Sequence, residues 1–144
     1  VRGYFGIGIE NAKTEANIGT LWRSAYCFGA SFIFTIGGRY KEQASDTTKA
    51  WRHIPLYEYF SLESFIDARP RGSTLVGVEV GNSLTRLPAY QHPTSALYVL
   101  GPEDGSLSIP LMEWCNDLIT IDSKYCLNVA VAGSIVMYDR QSKS

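Results

Sequence analysis

The stretch Ser95 to Ser108 constrains the fold most. Its apolar run, Ala96 to Leu100, passes directly into a Gly101-Pro102 turn carrying two carboxylates, Glu103 and Asp104. A run so short and so apolar suits a central parallel strand covered on both faces rather than a helix. Open α/β sheets bind small molecules beyond the carboxyl ends of their strands, so chemistry is expected in the loop from Gly101 to Ser108. Gly101 and Gly105 let backbone approach a ligand closely. Ser108 is placed to cap a helix starting at Ile109, with Pro110 tolerated in its first turn. Taken alone, the pattern also fits an ordinary strand, turn and helix.

Elsewhere apolar runs and amphipathic stretches alternate in the manner of an α/β domain. Tyr4 to Ile9 reads as the first strand, with a polar loop from Glu10 to Ala16. Its Gly6-Ile7-Gly8 is no dinucleotide fingerprint, because the glycines lie inside the strand and Asn11 stands where a third is needed. Asn17 is expected to cap a helix that Gly29 ends, with Ile18, Leu21, Trp22, Ala25 and Phe28 on one face. Arg23 then projects about 160° from the centre of that face, toward solvent, a partner subunit or a ligand.

Ser31 to Ile36, Ile54 to Tyr59, Thr74 to Val80 and Asp117 to Asp122 read as further strands. Helices are expected from a Ser61 cap through Ala68 and from Ile109 to Asn116. Leu84 to Pro93 is a connector, and His92 lies between Gln91 and Pro93, where a loop histidine is more often structural than catalytic. In the basic segment Arg39 to His53, Trp51 lies among Lys49, Arg52 and His53, where it can stack a base or cover a core edge. The terminal helix, Asn128 to about Arg140, is apolar around most of its circumference, which calls for burial on more than one side and favours a second subunit.

At 144 residues and 45% hydrophobic content, residues 1–144 suit one compact domain. No stretch has the apolar length of a membrane span and no signal segment opens the chain, so a cytoplasmic protein is expected. Cys27, Cys115 and Cys126 match no zinc spacing; reduced thiols and no metal are expected. The formal charge is −1, unevenly spread. Residues 1–90 hold ten Lys or Arg against eight Asp or Glu, whereas 91–144 hold three against six.

Three stretches gain meaning together: Asn17 to Gly29, Leu100 to Ser108, and Leu127-Asn128-Val129-Ala130-Val131-Ala132. In that order they resemble the three motifs of the SpoU/TrmH group of SPOUT RNA methyltransferases, and the resemblance runs from Tyr4 to roughly Arg140. It implies a mostly parallel sheet flanked by helices and closed by a C-terminal trefoil knot. It also implies S-adenosylmethionine as methyl donor, a ribose 2′-hydroxyl of tRNA or rRNA as acceptor, and a homodimer without a separate RNA-binding domain in this sequence.

By the same resemblance Arg23, Asn17, Glu103 and Asn128 are the catalytic candidates, with Arg23 near the other subunit's cofactor. Leu100, Gly101, Ile121 and Leu127 are placed at the cofactor, with Glu79, Gly81 and Cys126 beside it. Cys126, Ser106 and Asp122 depart from the usual Ser, Gly and Pro of the motifs, and the loop before Cys126 is short. With a net charge that gives phosphates little attraction, these departures keep a second reading open, a non-catalytic knotted dimeric protein that binds RNA or assists assembly.

Overall fold

The computed structural model describes residues 3–38, 53–81 and 84–144. The apolar runs become seven strands: β1 (Tyr4–Glu10), β2 (Phe32–Ile36), β3 (Leu56–Tyr59), β4 (Thr74–Val78), β5 (Thr85–Arg86), β6 (Ser95–Leu100) and β7 (Asp117–Thr120). They form one sheet in the order β3-β2-β1-β6-β4-β7-β5, and every pairing is parallel. All the strands therefore end along one edge. β7 lies between β4 and β5, two strands that follow each other in the chain.

Side-chain alternation along the central strands feeds two cores. Ala96, Tyr98 and Leu100 face one core with Ile18, Leu21 and Ala25 of α1 (Glu15–Cys27) and Val136 and Met137 of α4 (Val129–Ser142). Leu97 and Val99 face the other, with Phe65 of α2 (Leu62–Ala68) and Leu111 of α3 (Ile109–Trp114). Gly6 and Gly8 of β1 lie under the rings of Phe32 and Phe34, so their role is to make room for aromatic side chains. A Cβ at Gly133 would sit 2.6 Å from Leu21 Cδ1, which explains how closely α4 lies on α1.

Several boundaries differ from the sequence reading. Thr14, not Asn17, caps α1: its hydroxyl accepts from Asn17 N, and Asn17 sits inside the first turn. The helix does end before Gly29, whose φ is +80°. Ser61 and Ser64 form a reciprocal capping box for α2, and Ser108 caps α3 as expected. β4 and β7 stop at Val78 and Thr120, two residues short of the expected ends, because the chain beyond turns into the loops that shape a cleft. The expected connector contains the short strand β5 and a 3-10 turn at Leu87–Ala89. Most of the basic segment, including Arg39, Lys49, Trp51 and Arg52, lies outside the described residues.

His92 is structural. Its side chain is fully buried between the Tyr98 hydroxyl, 2.6 Å from Nδ1, and Asp139 Oδ2, 2.7 Å from Nε2. Arg140 donates to Tyr98 Oη, to Pro93 O and to Thr94 O. Lys143 pairs with Asp139 and donates to the Leu87 and Tyr90 carbonyls. This network anchors the end of α4 to the amino-terminal end of β6.

Candidate functional site

The loops following β4, β6 and β7 surround a cleft of about 440 Å³. Its apolar wall includes Leu100, Ile121, Leu127 and Val129, and its polar rim includes Glu79, Glu103 and Asp104. Gly101 and Cys126 line it too, whereas Gly81 belongs to a neighbouring recess with Asp122 and Lys124. The cleft thus gathers every residue that the sequence reading placed at a cofactor except Gly81.

Three buried or half-buried carboxylates shape the 101–108 loop. Glu79 Oε2 accepts from Leu107 N at 2.8 Å, while its Oε1 accepts from Val80 N at 2.9 Å. Glu10 is 4% exposed and accepts from both Ser108 N, at 2.7 Å, and the Ser108 hydroxyl. These contacts fix the loop's far end. The loop's near end is held by shape, since a Cβ on Gly101 would meet the backbone of Ser106 and Leu107 at 2.9 Å. Gly101 is therefore required first by the loop's own closure. Gly105 has no such constraint.

Glu103, the third carboxylate, reaches toward α1. Its Oε2 accepts from Lys13 N at 2.9 Å and its Oε1 from Asn17 Nδ2 at 3.0 Å, while Lys13 Nζ pairs with Asp104. Asn17 Oδ1 in turn accepts from Asn128 Nδ2 at 3.0 Å. Asn128 caps α4, its Oδ1 accepting from Ala130 N and Val131 N. The direction of the chain is forced: α4's unpaired amides claim the Asn128 oxygen, which leaves its nitrogen to donate onward. One hydrogen-bonded line therefore joins α4, α1 and the cleft loop.

Partial burial disfavours the Glu103 charge, yet hydrogen bonds from Asn17, from its own backbone, from Lys13 and from Thr14 outweigh it and hold the carboxyl below its ordinary range. Glu103 is thus an ionised, weakly basic group at neutral pH. Arg23 is not in this line. It is exposed on α1, about 9 Å along the helix from Asn17. Cys115 is excluded as a nucleophile because burial pushes its thiol up to about 12.

The sequence reading missed Glu10. A glutamate closing an otherwise apolar strand was the available signal, because a carboxylate there is buried only if something donates to it.

Comparison with known proteins gives a consistent picture. The model of the SpoU rRNA methylase family matches residues 5–138, whereas no curated protein matches by sequence. Among solved structures, one from work on the 2-OH methylation of C/U34 on tRNA is 18% identical, with a TM-score of 0.84, over 99% of this chain and 92% of that one. An AdoMet-bound rRNA methyltransferase from Sinorhizobium meliloti is 22% identical, with a TM-score of 0.85, over 99% of this chain and 57% of its own. The SpoU methyltransferase AviRb from Streptomyces viridochromogenes, in complex with AdoMet, is 21% identical, with a TM-score of 0.81, over all of this chain and 60% of its own. This chain accordingly spans little more than half of the latter two.

Proposed function

The chain belongs to the SpoU rRNA methylase family, and from that premise we propose that it transfers a methyl group from S-adenosylmethionine to a ribose 2′-hydroxyl of tRNA or rRNA. The observation that carries this reading is the line Glu103, Asn17, Asn128, which ties the three motif stretches together at the mouth of the cleft. The cleft suits the donor: its volume lies in the range of small-molecule sites, its apolar wall can take a flat ring, and its rim is acidic where a cation would sit. When bound, the donor supplies an electrophilic methyl on a positively charged sulfur.

The residues of this chain then have three tasks. Leu100, Gly101, Ile121, Cys126 and Leu127 present backbone and apolar surface to the donor, with Glu79 keeping the 101–108 loop in place and Gly81 shaping the adjoining recess. Glu103, held ionised, favours positive charge nearby and orients Asn17. Asn17 and Asn128 fix the approach of the acceptor ribose, and most of the rate gain comes from that positioning. Arg23, whose guanidinium is too weak an acid to serve as a base, anchors phosphate or ribose. The 2′-hydroxyl proton passes to an RNA phosphate or to Glu103, whose ionised carboxylate is free to take it up.

The same reading includes a homodimer, a C-terminal trefoil knot and a cytoplasmic location, with residues 1–144 acting as one catalytic unit. Supporting the dimer, α4 leaves Val131 47%, Ile135 37% and Tyr138 62% exposed along an apolar groove shared with Thr20 and Phe28. Arg23 lies one turn from Thr20, so a second copy seated there meets this arginine. Supporting the knot, β7 is inserted between consecutive strands before the chain turns into α4. Among the described residues no helix is long and apolar enough to cross a membrane.

The test is methyl transfer from labelled donor to total tRNA and rRNA from cells lacking the gene, with nucleosides resolved by mass spectrometry. A single 2′-O-methylated nucleoside is expected. Label on a base, or none with folded protein, contradicts the proposal.

A further inference from the structure

Phe60 is 97% exposed, although it directly follows a strand whose last residue, Tyr59, packs on Phe65. Its place in the fold is specific. Asn11 N donates to Ile36 O at 2.7 Å and Gly37 N to Tyr59 O at 2.8 Å, which stitches together the turns after β1, β2 and β3. These turns continue the sheet edge that carries the cleft loop after β6. The edge therefore runs from Gly101 past Asn11 and Gly37 to Phe60. Three strand spacings of about 4.8 Å put the Phe60 end about 14 Å from the cleft loop.

Electrostatics narrows what this edge can bind. The formal charge of the chain is −1, and the cleft side of the edge carries Glu10, Glu103 and Asp104, with Lys13 already paired to Asp104. Among the described residues, phosphate attraction is weak on the cleft side of this edge. An uncharged ring offers what such an edge lacks, because stacking on a base needs no counter-charge and tolerates any base.

We propose that Phe60 is a stacking platform for an unpaired base of the substrate RNA, flanking the nucleotide whose ribose enters the cleft. This inference rests on reading the cleft as the methyl-transfer site. Phe60 is then a positioning residue: it touches RNA away from the reacting atoms and sets which nucleotide is presented.

The experiment compares Phe60→Ala, Phe60→Leu and Phe60→Trp with the parent, using total tRNA, fragmented rRNA and single-stranded oligouridylate as probes. Alanine and leucine are expected to weaken RNA binding by roughly ten- to a hundredfold, with unchanged salt dependence, melting and S-adenosylmethionine affinity. Tryptophan should retain binding, and its added emission should be quenched by RNA. Leucine binding as well as phenylalanine, alanine binding as well as the parent, or an unquenched indole overturns the inference. If the parent binds donor normally, such a failure is confined to Phe60; a parent that binds neither donor nor RNA overturns the reading of the cleft itself.

Discussion

Polar contacts anchor α4 at both ends, and the two anchorages differ in kind. At its start, Asn128 connects through Asn17 to Glu103 beside a cleft, along a single line of side chains at or near the surface. At its end, Asp139, Arg140 and Lys143 grip His92, Tyr98 and four backbone carbonyls in a network whose centre is shut off from water. Both use amide, carboxylate and cationic groups. Burial and hydrogen-bond capacity separate them: the inner network spends its donors on neighbours that need them, whereas the outer one keeps lone pairs facing a space that a ligand can enter.

The comparison breaks most visibly at Arg140, 4% exposed and bonded to three acceptors. Arg140→Leu strands those acceptors and should lower the unfolding free energy by about 3 kcal/mol or more, measured by denaturant titration. Donor affinity at the far end of α4 should fall far less at temperatures where the variant is folded. Arg23→Ala and Asn17→Ala should do the reverse. Methyl transfer is expected to fall about a hundredfold from lost positioning, while Arg23→Ala shifts stability by no more than about 0.5 kcal/mol. Retention of full turnover by Arg23→Ala removes that residue from the site.

Asn128 sharpens the boundary because it serves both purposes. Asn128→Ala removes the cap of α4 and should cost about 1 kcal/mol of stability beside a larger loss of methyl transfer. Asn128→Asp keeps a capping oxygen but loses the donor to Asn17. It should restore most of the stability and little of the methyl transfer, a split readable from melting and turnover on the same preparation.

The smallest effect concerns pH. Burial lowers the His92 pKa despite the attraction of Asp139, so the folded protein keeps the ring neutral. Its Nε2 donates to Asp139, and Nδ1 accepts from the Tyr98 hydroxyl, which itself accepts from Arg140. An unfolded histidine titrates near about 6.5. Below that pH the unfolded chain takes up a proton that the folded chain refuses, so this contribution is present above it and declines as pH falls toward the folded value. Denaturation midpoints should drop between neutral and mildly acidic pH, and His92→Gln should flatten that slope. The shift of Glu103, also downward, acts in a lower window, where carboxylates titrate: its stability is present above the unfolded carboxyl pKa and lost as pH falls through the lower folded one.

The two regions were not equally legible in the sequence. Ala96 to Leu100 and Tyr4 to Ile9 revealed central strands because unbroken apolar runs have few other uses, and the motif stretches led to Asn17, Glu103 and Asn128. That the three join in one line was not legible, since it depends on Asn17 sitting within the first turn of α1 rather than capping it. Nor was Glu10, whose only signal was its place at the end of an apolar strand. The His92 network was recognised as structural only in outline. Its members come from Leu87 to Tyr98 and from Asp139 to Lys143, a separation along the chain that no local pattern bridges.

The most direct test of the central claim is calorimetric titration of S-adenosylmethionine into the protein beside Gly101→Val, whose added side chain must displace the Ser106 and Leu107 backbone. The account predicts saturable binding at one site per chain, lost in the variant without loss of fold. Absence of binding by the folded parent, or equal binding by the variant, contradicts it.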